Sequence, residues 1–350
     1  MLPKTMAGIQ LIGHGGPEKL VWNDAIPVPT PGPGEVLVQV LAAGVNNTDI
    51  NTRVGWYSRD VTGATDETGD EVEAGGWGGS LKFPLIQGSD LCGRVAGLVA
   101  GVTNLDLGAR VTCPTNQPIP TAGEPTKFEA IGSEYDGAFA EYCVVPAAQL
   151  FDVSTSPLSD VEIGAMPCAF GTAWNLLNRA GVGPSDRVLV TGASGGVGLA
   201  AVMLAKHLGA EVTGVAAQAK AKAVQDAGAD HILDRADIPT PSSASVAIDV
   251  VGGTNWGRVI DALQPGGRYA ASGAIAGPIV EMDLRTIYLN DLTILGCSYT
   301  ASDTFAGLVD IINSGAVRPL VAETYPLRDI ARAQADFAAK TLAGKLVLIP

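Results

Sequence analysis

The apolar positions along this chain change their period near residue 160, and the two halves predict different architectures. Before that point, short runs of alternating apolar and polar residues are broken by glycine and proline. Residues 34–45 form the clearest run and read as a strand. They follow Pro27-Val28-Pro29-Thr30-Pro31-Gly32-Pro33, an extended or turning entry, because proline fixes φ and lacks a donor. Similar runs continue to about residue 145, so this half is expected to be an irregular β-rich domain. After residue 160 helical and strand patterns alternate. A helix carrying Ala173, Leu176 and Leu177 precedes a strand ending at Val190, and an apolar helix over 199–208 follows. Strands are then expected at 211–216, 230–233, 246–250, 267–272 and 292–297, with helices at 219–227 and 256–263 between them. This alternation specifies a parallel sheet with helices on both faces. The tail, 301–350, gives two helical patterns and a last strand at 345–349. Residues 58–80 and 112–136 read as long loops, the first a candidate lid or a solvated excursion.

The join between the strand ending at Val190 and its helix carries the chemistry. Val188-Leu189-Val190-Thr191-Gly192-Ala193-Ser194-Gly195-Gly196-Val197-Gly198 runs strand, glycine turn, helix, with A-x-G-x-x-G spacing from Ala193 through Gly195 to Gly198. Such a turn offers backbone N–H groups and a helix N-terminus to a pyrophosphate. Gly195 lets the backbone approach the phosphates, and Gly198 lets the helix lie close on its strand. Ala193, Ser194, Gly195, Gly196, Val197 and Gly198 are therefore expected to bind a dinucleotide. The second strand ends Gly214-Val215-Ala216-Ala217-Gln218 with no carboxylate, so a 2′-phosphate there would meet no repulsion.

Charge and composition narrow the class. A net charge of −14 disfavours nucleic-acid and anionic-membrane partners. No apolar run approaches a membrane span and the N-terminus has no leader pattern. Five scattered cysteines make a poor disulfide framework, so a cytoplasmic chain with reduced thiols is expected.

Several motifs, in one order over nearly the whole length, resemble the medium-chain dehydrogenase/reductase superfamily, and most of all its zinc-independent quinone oxidoreductase and enoyl reductase branches. They are Gly34-Glu35-Val36-Leu37-Val38, Gly44-Val45-Asn46-Asn47-Thr48-Asp49, Gly88-Ser89-Asp90-Leu91-Cys92-Gly93-Arg94-Val95 and Gly137-Ala138-Phe139-Ala140-Glu141-Tyr142. Gly171-Thr172-Ala173-Trp174, the glycine turn, Gly228-Ala229-Asp230 and Pro265-Gly266-Gly267-Arg268 complete the set. The resemblance implies an α/β fold: a GroES-like β-rich catalytic domain (1–160 and 300–350) around a Rossmann domain with a doubly wound parallel sheet (161–299). It also implies a cleft between them and a homodimer formed through residues 292–298.

The zinc-dependent branch places a cysteine, a histidine and a second cysteine around its metal. Here those positions hold Asn46, Ser89 and Cys168, and the three histidines (His14, His207, His231) stand elsewhere, so no metal is expected. By the same resemblance Lys220 and Arg235 would meet the 2′-phosphate of NADPH, and Thr172, Val250, Gly273, Ala274 and Lys345 would also line the cofactor. Without a Lewis acid, hydride addition to a quinone or an α,β-unsaturated carbonyl (an enone or enoyl thioester) is the expected reaction. Asn46, Asn47 and Thr48 could supply hydrogen bonds, and Tyr57, in a segment resembling that of the enoyl reductase tyrosine, is either proton donor or pocket wall. Two alternatives stand beside this: a zinc-type alcohol dehydrogenase acting on simple alcohols or aldehydes, and an NADPH-binding protein with a non-catalytic role.

Overall fold

The computed structural model describes residues 2–58, 61–65, 79–237 and 240–350. They form two compact units: one of the described residues within 2–61, 79–171 and 299–350, the other of those within 62–65 and 172–298. The lid expectation for 58–80, including Trp77, falls mostly on residues outside those described.

The first unit begins with an antiparallel pair, β1 (Thr5–Leu11) and β2 (Leu20–Pro27). The long alternating run becomes β3 (Glu35–Val45), followed directly by α1 (Asn47–Val54). Next come β4 (Cys92–Leu98), β5 (Arg110–Thr112), β6 (Asn116–Pro118), β7 (Phe128–Ala130), β8 (Tyr142–Pro146) and β9 (Phe151–Asp152), then α2 (Asp160–Gly164) and the start of α3 (Pro167–Arg179), which from Thr172 on belongs to the second unit. The stretch expected as a structureless loop over 112–136 contains the β6–β7 antiparallel pair. Three residues per strand are too few to show a period in the sequence.

The second unit alternates as expected: β10 (Arg187–Val190), α4 (Gly196–His207), β11 (Glu211–Val215), α5 (Ala221–Asp226), β12 (His231–Leu233) and β13 (Ala244–Asp249). It continues with α6 (Trp256–Asp261), β14 (Leu263–Ala271), α7 (Leu284–Leu289) and β15 (Thr293–Gly296). Its six strands lie in the order β12-β11-β10-β13-β14-β15, all parallel. The order reverses between β10 and β13, the place where open α/β sheets bind ligands. Leu189, Ala247, Trp256, Ile260 and Leu263 belong to a core under this sheet.

The chain then returns to the first unit with α8 (Ser302–Ser314), β16 (Val321–Pro326), α9 (Ile330–Ala338) and β17 (Lys345–Ile349). Strand β16 went unread in the sequence because only Tyr325 of its residues is buried and the rest do not alternate cleanly. A seven-stranded sheet runs β16-β17-β3-β4-β5-β9, with β8 also on β3. Val36, Val38, Val95, Phe139 and Leu348 belong to its core. No described helix is long and apolar enough to cross a membrane.

Candidate active site

Strand register builds the centre of the first unit. Strand β17 runs antiparallel to β3 with Leu346 opposite Val45 and Leu348 opposite Ala43, which sets Lys345 beside Asn46. Strand β4 pairs Cys92 with Ala42, so Asp90, two residues earlier, comes level with Gly44. A Cβ at position 44 would stand 2.2 Å from Asp90 Oδ2, and glycine leaves that space to the carboxylate. Asp90 and Lys345 are 0% and 2% exposed. The lysine ammonium donates to Asp90 Oδ2 at 2.9 Å, to Val45 O at 3.2 Å and to Asn46 Oδ1. Asn46 Nδ2 donates to Asp90 Oδ2 at 2.7 Å, and the backbone N–H of Cys168 donates to Asp90 Oδ1 at 2.5 Å. A buried carboxylate and a buried ammonium are thus paired and hydrogen-bonded together, the condition under which charges are tolerated inside a protein.

Asn46 is also the N-cap of α1, and its backbone N–H donates to Asp49 Oδ2 at 2.8 Å. Ser89 Oγ donates to the other oxygen of Asp49 at 3.2 Å. Burial is the main cause that pushes the Asp49 pKa up to about 7, opposed by the Asn46 N–H and reinforced by the Asp90 charge. Helix α1 ends at Gly55 (φ +76°), a left-handed C-cap that glycine adopts at low cost and that turns the chain toward Trp56 and Tyr57. The Tyr57 hydroxyl donates to Thr48 Oγ1 at 3.2 Å. Both residues are half-buried.

Of the residues expected to act on substrate, the structure brings Thr48 and Tyr57 together. Asn46 is turned inward instead, with both ends of its amide taken by Lys345 and Asp90. Lys345, expected at the cofactor, lies in the first unit and spends its three donors on Asp90, Val45 and Asn46, leaving none for a nucleotide. Reading the sequence alone missed Asp49 and Asp90 as centres of this network. A carboxylate within Pro84-Leu85-Ile86-Gln87-Gly88-Ser89-Asp90-Leu91 was a usable signal, because a charge in so apolar a run needs a buried partner.

In the second unit the glycine turn leaves β10 at Thr191, bends at Gly192 (φ +57°) and enters α4 through Gly195 as N-cap. A Cβ at Gly198 would lie 2.1 Å from Gly192 O, so only glycine lets the helix start this close to the turn. Gly195 is exposed, and a Cβ there would meet nothing nearer than 3.5 Å. The first-turn N–H groups of α4 have no partner within the helix and are available to an anion. Thr191 Oγ1 donates to the buried Asp249 Oδ1 at 2.5 Å, and Tyr269 OH donates to Oδ2 at 2.7 Å. These bonds tie the ends of β10, β13 and β14 together. Val250, Gly273 and Ala274 follow those ends, with Gly273 close against Val250. Thr172 sits half-buried on α3. Beyond β11, burial and the nearby Arg235 guanidinium lower the Lys220 pKa, so these two cations lie within electrostatic reach of one another. Asp234 Oδ2 accepts from Gln218 N and Oδ1 from Ala236 N, both at 3.1 Å, linking the segments that carry the two cations.

A parallel sheet with a glycine turn at its switch point, in one chain with a GroES-like unit, defines a nicotinamide-dependent oxidoreductase. Comparison with known families agrees. The alcohol dehydrogenase GroES-like domain matches residues 32–155 and the zinc-binding dehydrogenase domain residues 196–314. The chain belongs to the medium-chain dehydrogenase/reductase superfamily. An alcohol dehydrogenase by designation from Sinorhizobium meliloti 1021 is 38% identical, with 100% of this chain and 98% of that one aligned at a TM-score of 0.88. The acryloyl-coenzyme A reductase of Metallosphaera sedula is 28% identical over 91% of this chain and 93% of its own. An NAD-dependent alcohol dehydrogenase of Sulfurisphaera tokodaii is 26% identical over 99% and 100%.

The zinc that one family name implies does not suit the donors present. Position 46 offers an amide already bonded at both ends, and position 89 a hydroxyl bonded to Asp49. Of the three positions only 168 offers a soft ligand, the half-buried Cys168 thiol, and one such ligand without partners does not hold a catalytic zinc. Among the described residues no cluster of three or more His, Cys, Asp or Glu side chains could hold a metal.

Proposed function

We propose that this chain is an NADPH-dependent, zinc-independent reductase of quinones or α,β-unsaturated carbonyl compounds, an enone or enoyl thioester. The observation that carries this reading is the Tyr57–Thr48 hydroxyl pair in a unit whose three metal-ligand positions hold an amide, a hydroxyl and a single thiol. A carbonyl–alcohol interconversion would lack its electrophile there, whereas conjugate reduction needs only hydrogen-bond donors and a proton. The relative named acryloyl-coenzyme A reductase supports the same class.

The cofactor fits the second unit: the turn from Ala193 to Gly198 would hold the pyrophosphate, and Lys220 with Arg235 the 2′-phosphate. When bound, its nicotinamide supplies the hydride that reaches the substrate β-carbon. Tyr57 then gives its proton to the enolate α-carbon, and the Thr48 hydroxyl donates back to the tyrosinate left behind. The electron pair of the new α-carbon C–H bond comes from the enolate and that of the β-carbon C–H bond from the hydride, so charge and protons balance. We further propose a cytoplasmic homodimer through the sheet edge at β15, where Ile294 is 40% exposed, beside the 71% exposed Leu289 of α7.

The test is NADPH consumption against crotonyl-coenzyme A, methyl vinyl ketone and 1,4-benzoquinone, with ethanol plus NAD⁺ as the contrary arm. Reduction is expected in the first arms and survives chelator, and Tyr57→Phe should lower kcat about 100-fold. Ethanol oxidation that is lost on zinc removal would overturn the proposal. Tight NADPH binding without turnover would leave a non-catalytic binding protein.

A further inference from the structure

Three segments that converge on a metal in the zinc-dependent branch converge here on one carboxylate. The segment after β3 arrives through the Asn46 amide, the start of α3 through the Cys168 N–H, and Asp90 itself follows Ser89. The start of β17 supplies the countercharge through Lys345. The pieces are far apart in sequence: Lys345 and Asp90 are 255 residues from each other, Cys168 and Asp90 78. Asn46, Asp90 and Lys345 are buried, and position 44 is glycine-specific, since a Cβ there would stand 2.2 Å from Asp90 Oδ2.

The geometry points to Asp90 and Lys345 as positioning residues: their pair holds the first turn of α1, and through it Thr48 and Tyr57, in place of a metal. The link is Asn46, which is both the N-cap of α1 and the residue clamped between the two charges. Thr48 stands two residues into that helix, and Tyr57 is bonded to Thr48 from just past its C-cap. Loss of the clamp therefore frees Asn46 and the helix start, and with them Thr48, the partner of the Tyr57 hydroxyl. The inference rests on the proposed role of Tyr57 only for its kinetic readout.

Removing one charge alone strands the other in the interior and endangers the fold. The informative variant is therefore the neutral double Asp90→Asn/Lys345→Met, with Lys345→Met and Lys345→Arg beside it, all in the full chain. Four quantities are measured: NADPH Kd by nucleotide fluorescence, kcat and KM on the best substrate, thermal midpoint, and amide hydrogen exchange over residues 47–54. For the double variant we expect a folded protein with NADPH Kd within about two-fold of wild type, kcat down at least about ten-fold, and exchange over 47–54 faster at least about ten-fold. Lys345→Arg, which keeps the charge, should recover most of both effects. Exchange over 47–54 equal to wild type in a folded double variant would overturn the inference whatever the activity. Faster exchange with Tyr57→Phe fully active would sustain the clamp while refuting the proton-donor role of Tyr57, so the two failures are separable.

Discussion

Gly195 and Gly198 stand three residues apart in one turn, yet substituting alanine at each should fail in different ways. At Gly198 the added Cβ would lie 2.1 Å from Gly192 O and 2.7 Å from Ala193 Cα. Ordinary contact is about 3.4 Å, so the start of α4 must retreat by about 1.3 Å against a backbone atom that cannot rotate away. Overpacking of this kind costs about 1–3 kcal/mol of stability. The same shift withdraws first-turn N–H groups from a pyrophosphate. Losing one charge-assisted bond costs about 1.5–3 kcal/mol, so NADPH affinity should fall about ten-fold or more. At Gly195 the Cβ meets only Gly192 O, at 3.5 Å, and its φ of −83° and ψ of 172° suit alanine. Gly195→Ala should therefore lower stability only by the cost of an alanine N-cap, about 0.5–1 kcal/mol, and lose affinity because its methyl group meets the ligand. Thermal melts by circular dichroism and fluorescence titration with NADPH separate the two. A Gly198→Ala protein with wild-type midpoint and Kd would refute the close-approach argument. A Gly195→Ala protein with unchanged Kd would refute the placement of the phosphates.

Lys220→Ala should weaken NADPH about ten-fold or more and leave NADH within about two-fold, by titration of each nucleotide; equal losses for both would remove the 2′-phosphate role. The raised pKa of Asp49, about 7, carries a pH signature. Because the folded state holds this proton more tightly than the unfolded chain, the cost of ionising Asp49 is absent below about pH 4 and fully present above about pH 7. Asp49→Asn should thus gain stability relative to wild type as pH rises through that window, with a slope of at most ~1.4 kcal/mol per pH unit. Urea midpoints at pH 5 and pH 8 check the sign, and a stability difference that is flat between them would show that Asp49 is ionised throughout.

The two architectures were legible because each leaves a period. Buried parallel strands and their helices made the second unit readable almost element by element, and the last strand, 345–349, was read with the bounds the structure shows. The glycine turn was legible because steric demands at Gly192 and Gly198 exclude side chains whatever surrounds them. Local steric and hydrophobic demands are properties of neighbouring residues, and a sequence records neighbours. The three-residue strands β6 and β7 are below the length at which a period can show.

The active-site network was decided elsewhere. Nothing near Lys345 in the chain says that its ammonium meets Asp90 rather than a phosphate; the antiparallel register of β17 on β3 says so, by setting it beside Asn46. The same register turns the Asn46 amide inward to Lys345 and Asp90, while the Tyr57 hydroxyl meets Thr48. A buried charge must find its opposite, and the sequence shows which residues carry that demand. Which partner answers it depends on strands brought together across the whole length of the chain, and only the folded sheet settles that.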